Sequence, residues 1–520
     1  TSFKHPDPKN VQLRALQRVV KLLMEGETEV RTNADLEYHY HVKHVTSGAE
    51  WKARLPNALV WIDYMCMPQP TAGATNGDDG SGPATADHRL MELDVATTVA
   101  LDADRNGSLS VAELVQGLKL AVDSIPSYIE RCTQMWILVP ACEHSDIYGA
   151  ACDFFSWRSR GWCRMEFAAS KLARGADMPV MVIESSTHHS YFNPCDTTKL
   201  VAAHGEFSLQ ADVEKVNSIL EAMAMAKAAD YRQQGDVTLA RHMTVYKRRF
   251  APQSTGAATA ATGEVATGEA AVAMLKRRFG WRDEETEALW MKETGWNLLK
   301  LACATDDLPA VAHLLTLPDA KHAMAVKNRP MVVDSALRRQ PFSMLLGGSL
   351  DKFDAVTCAT TFGSPPVVQA LITAGSPLPF SAACGIMGCW NEGGCRSGNV
   401  ENIAMLLDAK PALAAAKDEK LSLSITYALQ APQHCQPELI KLFLDRHRRM
   451  KGIREKSLHT ALNRRDMLGF RPIDYLATNA DATPEAVVLL TSAGAGVEHK
   501  YNLSWPMRSL FWLLMHTKMM

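Results

Sequence analysis

The residues best suited to chemistry stand in the twelve-residue stretch 102–113, which reads DADRNGSLSVAE. Oxygen-bearing side chains occupy positions 1, 3, 5, 9 and 12 of the stretch, and position 7 can offer its backbone carbonyl, as a calcium loop requires. Gly107 at position 6 allows the sharp turn between the ligands. The pattern predicts a Ca²⁺ site with the ligands Asp102, Asp104, Asn106, Ser108, Ser110 and Glu113. The alternative is an acidic surface turn that binds nothing.

Helix-like segments flank this loop on both sides. Residues 88–101 and 114–122 carry apolar side chains at helical spacing. The helix–loop–helix pattern resembles an EF-hand, which implies Ca²⁺ as the ligand. EF-hands normally work in pairs, and the sequence contains one such loop. A single loop is expected to bind weakly, to pair with another chain or to act as a static brace.

Bulk composition excludes some partners. The 520 residues are 47% hydrophobic and 22% charged, which is typical of a globular protein of two to four domains. A net charge of −2 creates no overall field that would attract nucleic acid or an anionic membrane. No stretch reaches the roughly 18 consecutive apolar residues of a membrane span. The apolar segment 501–520 is predicted to form a packed terminal helix rather than an anchor.

The cysteine pattern and the first residue of the chain provide information on the cellular location of the protein. Twelve cysteines follow no secreted disulfide framework, so an intracellular, by default cytoplasmic, location is expected. The chain starts at Thr1, so the natural N-terminus may be missing and import into an organelle stays open. Cys384, Cys389 and Cys395 cluster in a glycine-rich segment, but no fourth ligand stands at zinc-site spacing.

Strand-like and helix-like runs alternate before residue 250. Continuous apolar runs at 58–65, 135–140 and 178–184, separated by helical segments, indicate a doubly wound parallel sheet that is covered on both faces. The calcium loop and a low-complexity stretch lie between the first two runs and are interpreted as an insertion. The α/β domain is predicted to comprise residues 1–68 and 124–200. The insertion covers residues 88–122, and a helical extension follows at residues 205–250.

A linker rich in Ala, Gly and Thr at 251–271 precedes a half that reads as helix pairs. Residues 285–500 repeat a small-residue helix, a turn and a helix that ends in two large apolar residues. These anchors are Leu314/Leu315, Leu371/Ile372, Leu406/Leu407, Phe443/Leu444 and Leu489/Leu490. The pattern resembles ankyrin repeats and predicts an all-α solenoid with a concave protein-binding face. A generic helical domain is the alternative.

A further motif follows the second strand-like run. Gly161, Trp162, Cys163 and Glu166 match the Trp-Cys-x-x-Glu signature that opens a helix in TIR domains. Residues 61–69 also resemble a motif of fungal heterokaryon-incompatibility domains. The resemblance implies a TIR or flavodoxin-like fold over roughly the first 250 residues. Together, the three modules resemble multi-domain proteins of dinoflagellate-type algae.

In NAD⁺-cleaving TIR domains the glutamate of this motif is catalytic, which implies that role for Glu166. The structural alternative is a helix-start carboxylate paired with Arg160 or Arg164. The crevice at the carboxyl ends of the strands makes Asp63 and Trp162 candidates for binding the nucleotide. Asp63 fits a turn-capping carboxylate equally well, and Trp162 fits the core.

Three functions are compatible with these modules. The favoured one is a calcium-binding scaffold that binds protein partners through its repeats, and it is not an enzyme. The first alternative is a calcium-gated NAD⁺ nucleosidase that uses Glu166. The second alternative is a structural subunit of a larger assembly, in which both sites are idle.

Overall fold

The computed structural model describes residues 7–32, 43–62, 120, 123–174, 178–198, 200–250, 267–281, 288–292, 295–328, 352–384, 393–418, 421–450, 455–466, 469–479 and 482–497. The described chain divides between residues 197 and 198 into two compact units. The calcium loop, Asp63, the segment 501–520 and most of the linker lie outside the described residues.

The first unit contains a small mixed sheet. Strand β3 (Met135–Leu138) pairs in parallel with β6 (Val180–Ile183), and β7 (His189–Tyr191) adds to β6 in the antiparallel sense. The two-stranded ribbon of β1 (Val30–Arg31) and β2 (Val45–Thr46) joins through a bridge between Thr32 and Tyr191. The hairpin of β4 (Cys142–Glu143) and β5 (Ala151–Cys152) follows β3. The doubly wound sheet stays an interpretation, because one parallel pair is present among the described strands.

Helices lie on both faces of this sheet. Helix α1 (Val11–Glu25) and α2 (Gly48–Arg54) bury their apolar side chains on the face that carries Met181, Ile183 and Tyr191. Phe192 follows Tyr191 and, by strand alternation, points to the opposite face. There it stacks on Phe167 of α4 (Gly161–Leu172), with ring centroids 4.4 Å apart.

The first strand-like run is not a strand where the structure describes it. Residues 58–62 follow a 3₁₀ turn at Leu55–Asn57 and pair with no strand among the described residues. Leu59 and Val60 are exposed. Continuous hydrophobicity indicated a buried strand, but a short apolar run has no periodicity that fixes its structure. Residues 63–65 of the run lie outside the described residues.

The second unit is built largely of helix pairs. The first helices of the pairs are α8 (Leu298–Ala304), α11 (Ala355–Phe362), α14 (Gly394–Ser397), α16 (Ser424–Ala428) and the 3₁₀ helix Pro472–Thr478. The second helices are α9 (Leu308–Leu314), α12 (Pro365–Thr373), α15 (Val400–Ala409), α17 (Gln436–Arg449) and α19 (Pro484–Ser492). Along the described array, first helices pack on first helices and second helices on second helices of the next pair.

The apolar anchors read from the sequence face the interior of this array. Leu314, Leu371, Leu406, Phe443 and Leu490 are all buried. Additional short helices lie between the pairs: α10 (Ala320–Ala325) and α13 (Phe380–Ala383), and α18 (Glu455–Asn463) before the last pair. Helices α10 and α18 lie in the two longest intervals between anchors, from Leu314 to Leu371 and from Phe443 to Leu489.

A residue in the left-handed backbone conformation precedes four of the five first helices. Four first helices begin at an N-cap that lies two residues after a residue of positive φ. The four couples are Gly295 before Asn297, Lys352 before Asp354, Leu421 before Leu423 and Gly469 before Arg471. Two of these turns carry a side chain where glycine is favoured, so the sequence hides the repeat at those positions.

The helical extension belongs to the unit of helix pairs. Helix α5 (Asp212–Gln233) packs against α6 (Val237–Phe250) as a hairpin. Arg241 of α6 donates to the carbonyl oxygens of Phe279 (2.8 Å) and Gly280 (3.3 Å). The predicted end of the linker at 271 is wrong, because α7 (Glu269–Phe279) begins at Glu269 and buries Ala271. Helix α7 packs in turn on α8 and α9.

Candidate functional site

Glu166 lies on the helix that crosses between the two parallel strands. A helix that connects adjacent parallel strands runs antiparallel to them, so the start of α4 lies near the carboxyl end of β3. This edge of a parallel sheet is the usual place for a ligand. The predicted placement of Glu166 and Trp162 is therefore compatible with a ligand-binding role.

Trp162 and Glu166 are distinguished by their exposure. All of α4 is described, and every other residue of the helix is buried. The two residues are four apart in sequence, so their side chains share one face of the helix. The helix is buried on its other faces and presents a half-buried indole and a half-buried carboxylate together.

The alternative reading of Glu166 as a helix-start carboxylate is wrong in its position. Helix α4 begins at Gly161 and has no acidic residue in its first turn, so Glu166 lies beyond the reach of the strongest N-terminal dipole effect. Arg164 is fully buried, and its Nε donates to the carbonyl oxygen of Arg158 at 2.6 Å.

An aromatic cluster supports the start of α4 from the core side. The capping box of Asp153 and Ser156 starts α3 (Phe154–Ser159). Phe154 and Trp157 of this helix pack edge-to-face on Phe192, at centroid distances of 5.2 and 6.3 Å. Phe167 and Phe192 are buried, whereas Phe154 and Trp157 are half-buried. The burial of Phe167 agrees with its predicted place in the core; Trp157, predicted to lie there as well, is only partly covered.

The structure does not describe the other predicted ligands. Asp63 and the six calcium ligands lie outside the described residues. Within the described part of the chain, no group of three or more His, Cys, Asp or Glu side chains is arranged to hold a metal ion. Cys384 and Cys395 are buried, and burial raises the pKa of Cys384 to about 12, so its thiol stays protonated.

The second unit contains a polar network that the sequence did not reveal. The hydroxyl of Tyr427 donates to Asp418 Oδ2 at 2.8 Å, and the hydroxyl of Tyr475 donates to Asp466 Oδ2 at 2.5 Å. Ser422 joins the two pairs: its backbone N–H donates to Asp418 and its Oγ donates to Asp466. In the sequence, the one sign of this network was that an aspartate precedes a tyrosine by nine residues in both pairs.

Burial and nearby carboxylates determine the protonation of this network. Burial first, and the adjacent aspartates second, hold the pKa of the Tyr427 and Tyr475 hydroxyls well above the ordinary value. Both tyrosines therefore remain donors at neutral pH. The network ties the turns of two successive helix pairs together and is structural.

Lys300 is a second buried polar feature. Its Nζ donates to Asn328 Oδ1 at 2.7 Å and to the carbonyl oxygens of Gly295 and Phe353. The side chain is fully buried, and burial lowers the pKa of its amino group to about 8. These acceptors lie in the turns before the first and second pairs, so Lys300 fastens the two turns to each other.

Comparison with known proteins adds no assignment: no protein-family model, curated protein or solved structure matches this chain. Among the described helices, none combines the length and the apolar composition that crossing a membrane requires.

Proposed function

We propose that this protein is a calcium-binding scaffold that carries protein partners on an ankyrin-like array of helix pairs. The observation that supports the scaffold is the regular stacking in the second unit. Pairs that pack on their neighbours build a continuous core and leave a long, repetitive surface for binding. The recurring left-handed residue before the first helices supports a common repeat unit.

The second helices offer the side chains for such contacts. Each of them buries one face and exposes the other. On α19 the exposed face carries Glu485, Val487 and Val488. Most of the first helices, by contrast, are buried over nearly their whole length. The surface for partners is therefore placed on the second helices and the turns.

The calcium part of the proposal rests on residues 102–113 and is tested by titration calorimetry of the full chain with Ca²⁺. We expect one Ca²⁺ per chain, and we expect Glu113→Gln to weaken binding strongly because it removes the bidentate ligand of the loop. Ser108→Ala is the matched control, because position 7 binds through its backbone carbonyl. No heat of binding in the folded wild-type chain would exclude the calcium site.

The scaffold part is tested by cross-linking from the second helices. A photoreactive residue at Val488 or at Glu401 should trap a defined partner in extracts of the source cells, whereas the same residue at Lys52 of the first unit should not. Equal labelling at all three positions would contradict a dedicated surface on the pairs.

A second candidate is NAD⁺ cleavage at Glu166. The specific observation in its favour is that Trp162 and Glu166 share the one face of α4 that reaches solvent, near the carboxyl end of β3. A carboxylate placed there could stabilise the oxocarbenium character that develops when the bond between nicotinamide and ribose breaks.

Nicotinamide release by the purified chain, with and without Ca²⁺, tests this candidate. Glu166→Gln keeps the size of the side chain and removes its charge, and should abolish release if the carboxylate is catalytic. Glu143→Gln, on the exposed hairpin strand β4, is the control. Release that is unchanged in Glu166→Gln, or absent in the wild type, would remove the enzyme from consideration.

A further inference from the structure

The chain is nearly neutral overall, yet one segment is strongly basic. Residues 446–465 contain eight lysine or arginine residues and a single acid, Glu455. Its described parts are the end of α17 and helix α18, which precedes the last helix pair; residues 451–454 lie outside the described residues. Some of this charge is already neutralised, because Arg446 pairs with Asp408 at 2.5 Å and Arg448 lies 3.5 Å from Asp445.

A cleft opens at the end of this segment, between the turns that precede the fourth and fifth pairs. It measures about 250 Å³ when the space open to solvent is included. Its walls come from the turn around Ser422, from the C-terminal end of α18 and from the turn around Phe470. The cleft therefore spans two successive repeats, where a partner of the array would contact both.

Two cations lie at the cleft. Lys417 and Arg464 both line it and are both exposed. Among the described residues neither forms an ion pair. Partial burial, and then the nearby charge of Arg464, lowers the pKa of Lys417. Lys417 and Arg464 carry like charges that repel each other, and an anion bound beside both would reduce the repulsion.

The remaining walls are apolar and hydroxylic. Leu421, Leu423, Phe470 and Pro472 supply the apolar part, and Ser422 and Thr426 supply hydroxyl groups. Asp466 also lines the cleft. Its carboxylate accepts from Ser422 Oγ at 2.9 Å, from the backbone N–H of Phe470 at 3.1 Å and from Tyr475.

We propose that this cleft binds an acidic, extended segment of a partner protein. Carboxylates of the segment would contact Lys417 and Arg464, and one apolar side chain would rest against Phe470 and Leu421. The proposal rests on the proposed scaffold function and names the chemistry of the partner.

The surroundings favour a peptide over a nucleic acid. Phosphate backbones are bound by rows of free basic residues, whereas Arg446 and Arg448 of α17 each lie beside an aspartate. The cleft is short and has one aromatic wall, so it provides no series of stacking platforms for bases.

The test is fluorescence anisotropy of the full chain with labelled nonapeptides of glutamate and aspartate, with phenylalanine or alanine at the centre. We expect the phenylalanine peptide to bind more tightly. We expect Lys417→Glu with Arg464→Glu to weaken binding by about tenfold or more, because charge reversal at a binding cleft removes attraction and adds repulsion. Lys321→Glu with Arg277→Glu changes two exposed cations elsewhere in the unit and should alter the affinity by less than about twofold.

Three results would overturn the proposal. They are no binding of either peptide by folded wild-type chain, an equal loss in the control variant, and tighter binding of a 20-base DNA strand that the cleft variant also loses. Circular dichroism of each variant checks folding, and Lys417→Gln with Arg464→Gln provides a milder change. If the peptides fail while Val488 still traps a partner, the cleft alone is excluded; if both fail, the scaffold function fails as well.

Discussion

At the scale of single residues, the buried amino group of Lys300 lowers the stability of the fold. Lys300 is a cation inside the helix pairs, held by three carbonyl-type acceptors instead of a carboxylate at hydrogen-bond distance. Burial of a charge costs free energy that hydrogen bonds offset only in part. The depressed pKa of Lys300, about 8, reports that cost.

Relative to a variant that lacks this amino group, the free energy of unfolding of the second unit should therefore rise with pH above 8. Between pH 8 and 10.5 the unfolded chain binds a proton that the folded chain has released from Lys300, so this group adds to the free energy of unfolding as the pH rises. The lowered pKa corresponds to about 3 kcal/mol. The buried thiols of the unit have raised pKa values and act in the opposite direction, in the wild type and in the variant alike. Urea unfolding across this range should therefore show that the wild type gains stability relative to Lys300→Met as the pH rises. A constant difference between the two would contradict a charged, buried Lys300 at neutral pH.

The left-handed residues Leu421 and Lys352 are also local costs. A non-glycine residue with φ near 64° is strained by about 1 kcal/mol. Leu421 is exposed, so removing its side chain sacrifices little packing.

Leu421→Gly is thus expected to raise the free energy of unfolding by about 0.5 to 1 kcal/mol, measured by urea denaturation. Leu421→Ala keeps the strain and is the control, with little expected change. A glycine variant less stable than the alanine variant would show that the turn is not strained.

At the scale of elements, two of the first helices, α8 and α11, begin at a residue whose side chain caps the helix. Asp354 Oδ1 accepts from the backbone N–H of Thr357 at 2.9 Å and from its hydroxyl at 2.7 Å. Burial raises the pKa of this carboxyl, so its charge is disfavoured there. Asn297 makes the equivalent cap of α8 with an uncharged amide, through a bond from the N–H of Lys300 at 2.9 Å.

Asp354→Asn should therefore leave stability unchanged or slightly higher, whereas Asp354→Ala should lower it by about 1 to 2 kcal/mol because it removes the cap. Thermal unfolding followed by circular dichroism distinguishes the two. Equal losses in both variants would show that the charge of Asp354 matters more than the cap.

At the scale of the whole molecule, the structure assigns the helical extension to the unit of repeats. The guanidinium of Arg241 lies over Trp281 and Trp290, at 4.3 and 5.2 Å from the ring centroids. It also binds the carbonyl oxygens that end α7. One side chain thus joins the α5–α6 hairpin to the segment that covers the first helix pair.

Arg241→Lys should loosen this joint, because an ammonium cannot stack on two indoles and reach both carbonyls. Hydrogen exchange of α5, α6 and α7 should become faster, while α17 and α19 keep their protection. Arg232→Lys is the control, since Arg232 is exposed and makes one bond to the carbonyl of Arg278 at 3.2 Å. Unchanged exchange in Arg241→Lys would show that the hairpin is held by its apolar contacts alone.

The continuous apolar runs of the sequence correctly indicated the strands at 135–138 and 180–183, although the similar run at 58–62 is not a strand. Helices α5 and α6 and the anchors of the second helices followed from hydrophobic periodicity, which over a long segment reflects burial. The calcium loop is also a sequence-level prediction, and it stays one. Tertiary structure alone decided that 58–62 is not a strand, that 198–250 belongs with the repeats, and that Trp162 and Glu166 share the one exposed face of α4. It also brought Lys417 and Arg464 to one cleft, though they are far apart in sequence. Such outcomes depend on which distant segments pack together, and a one-dimensional pattern does not contain that information.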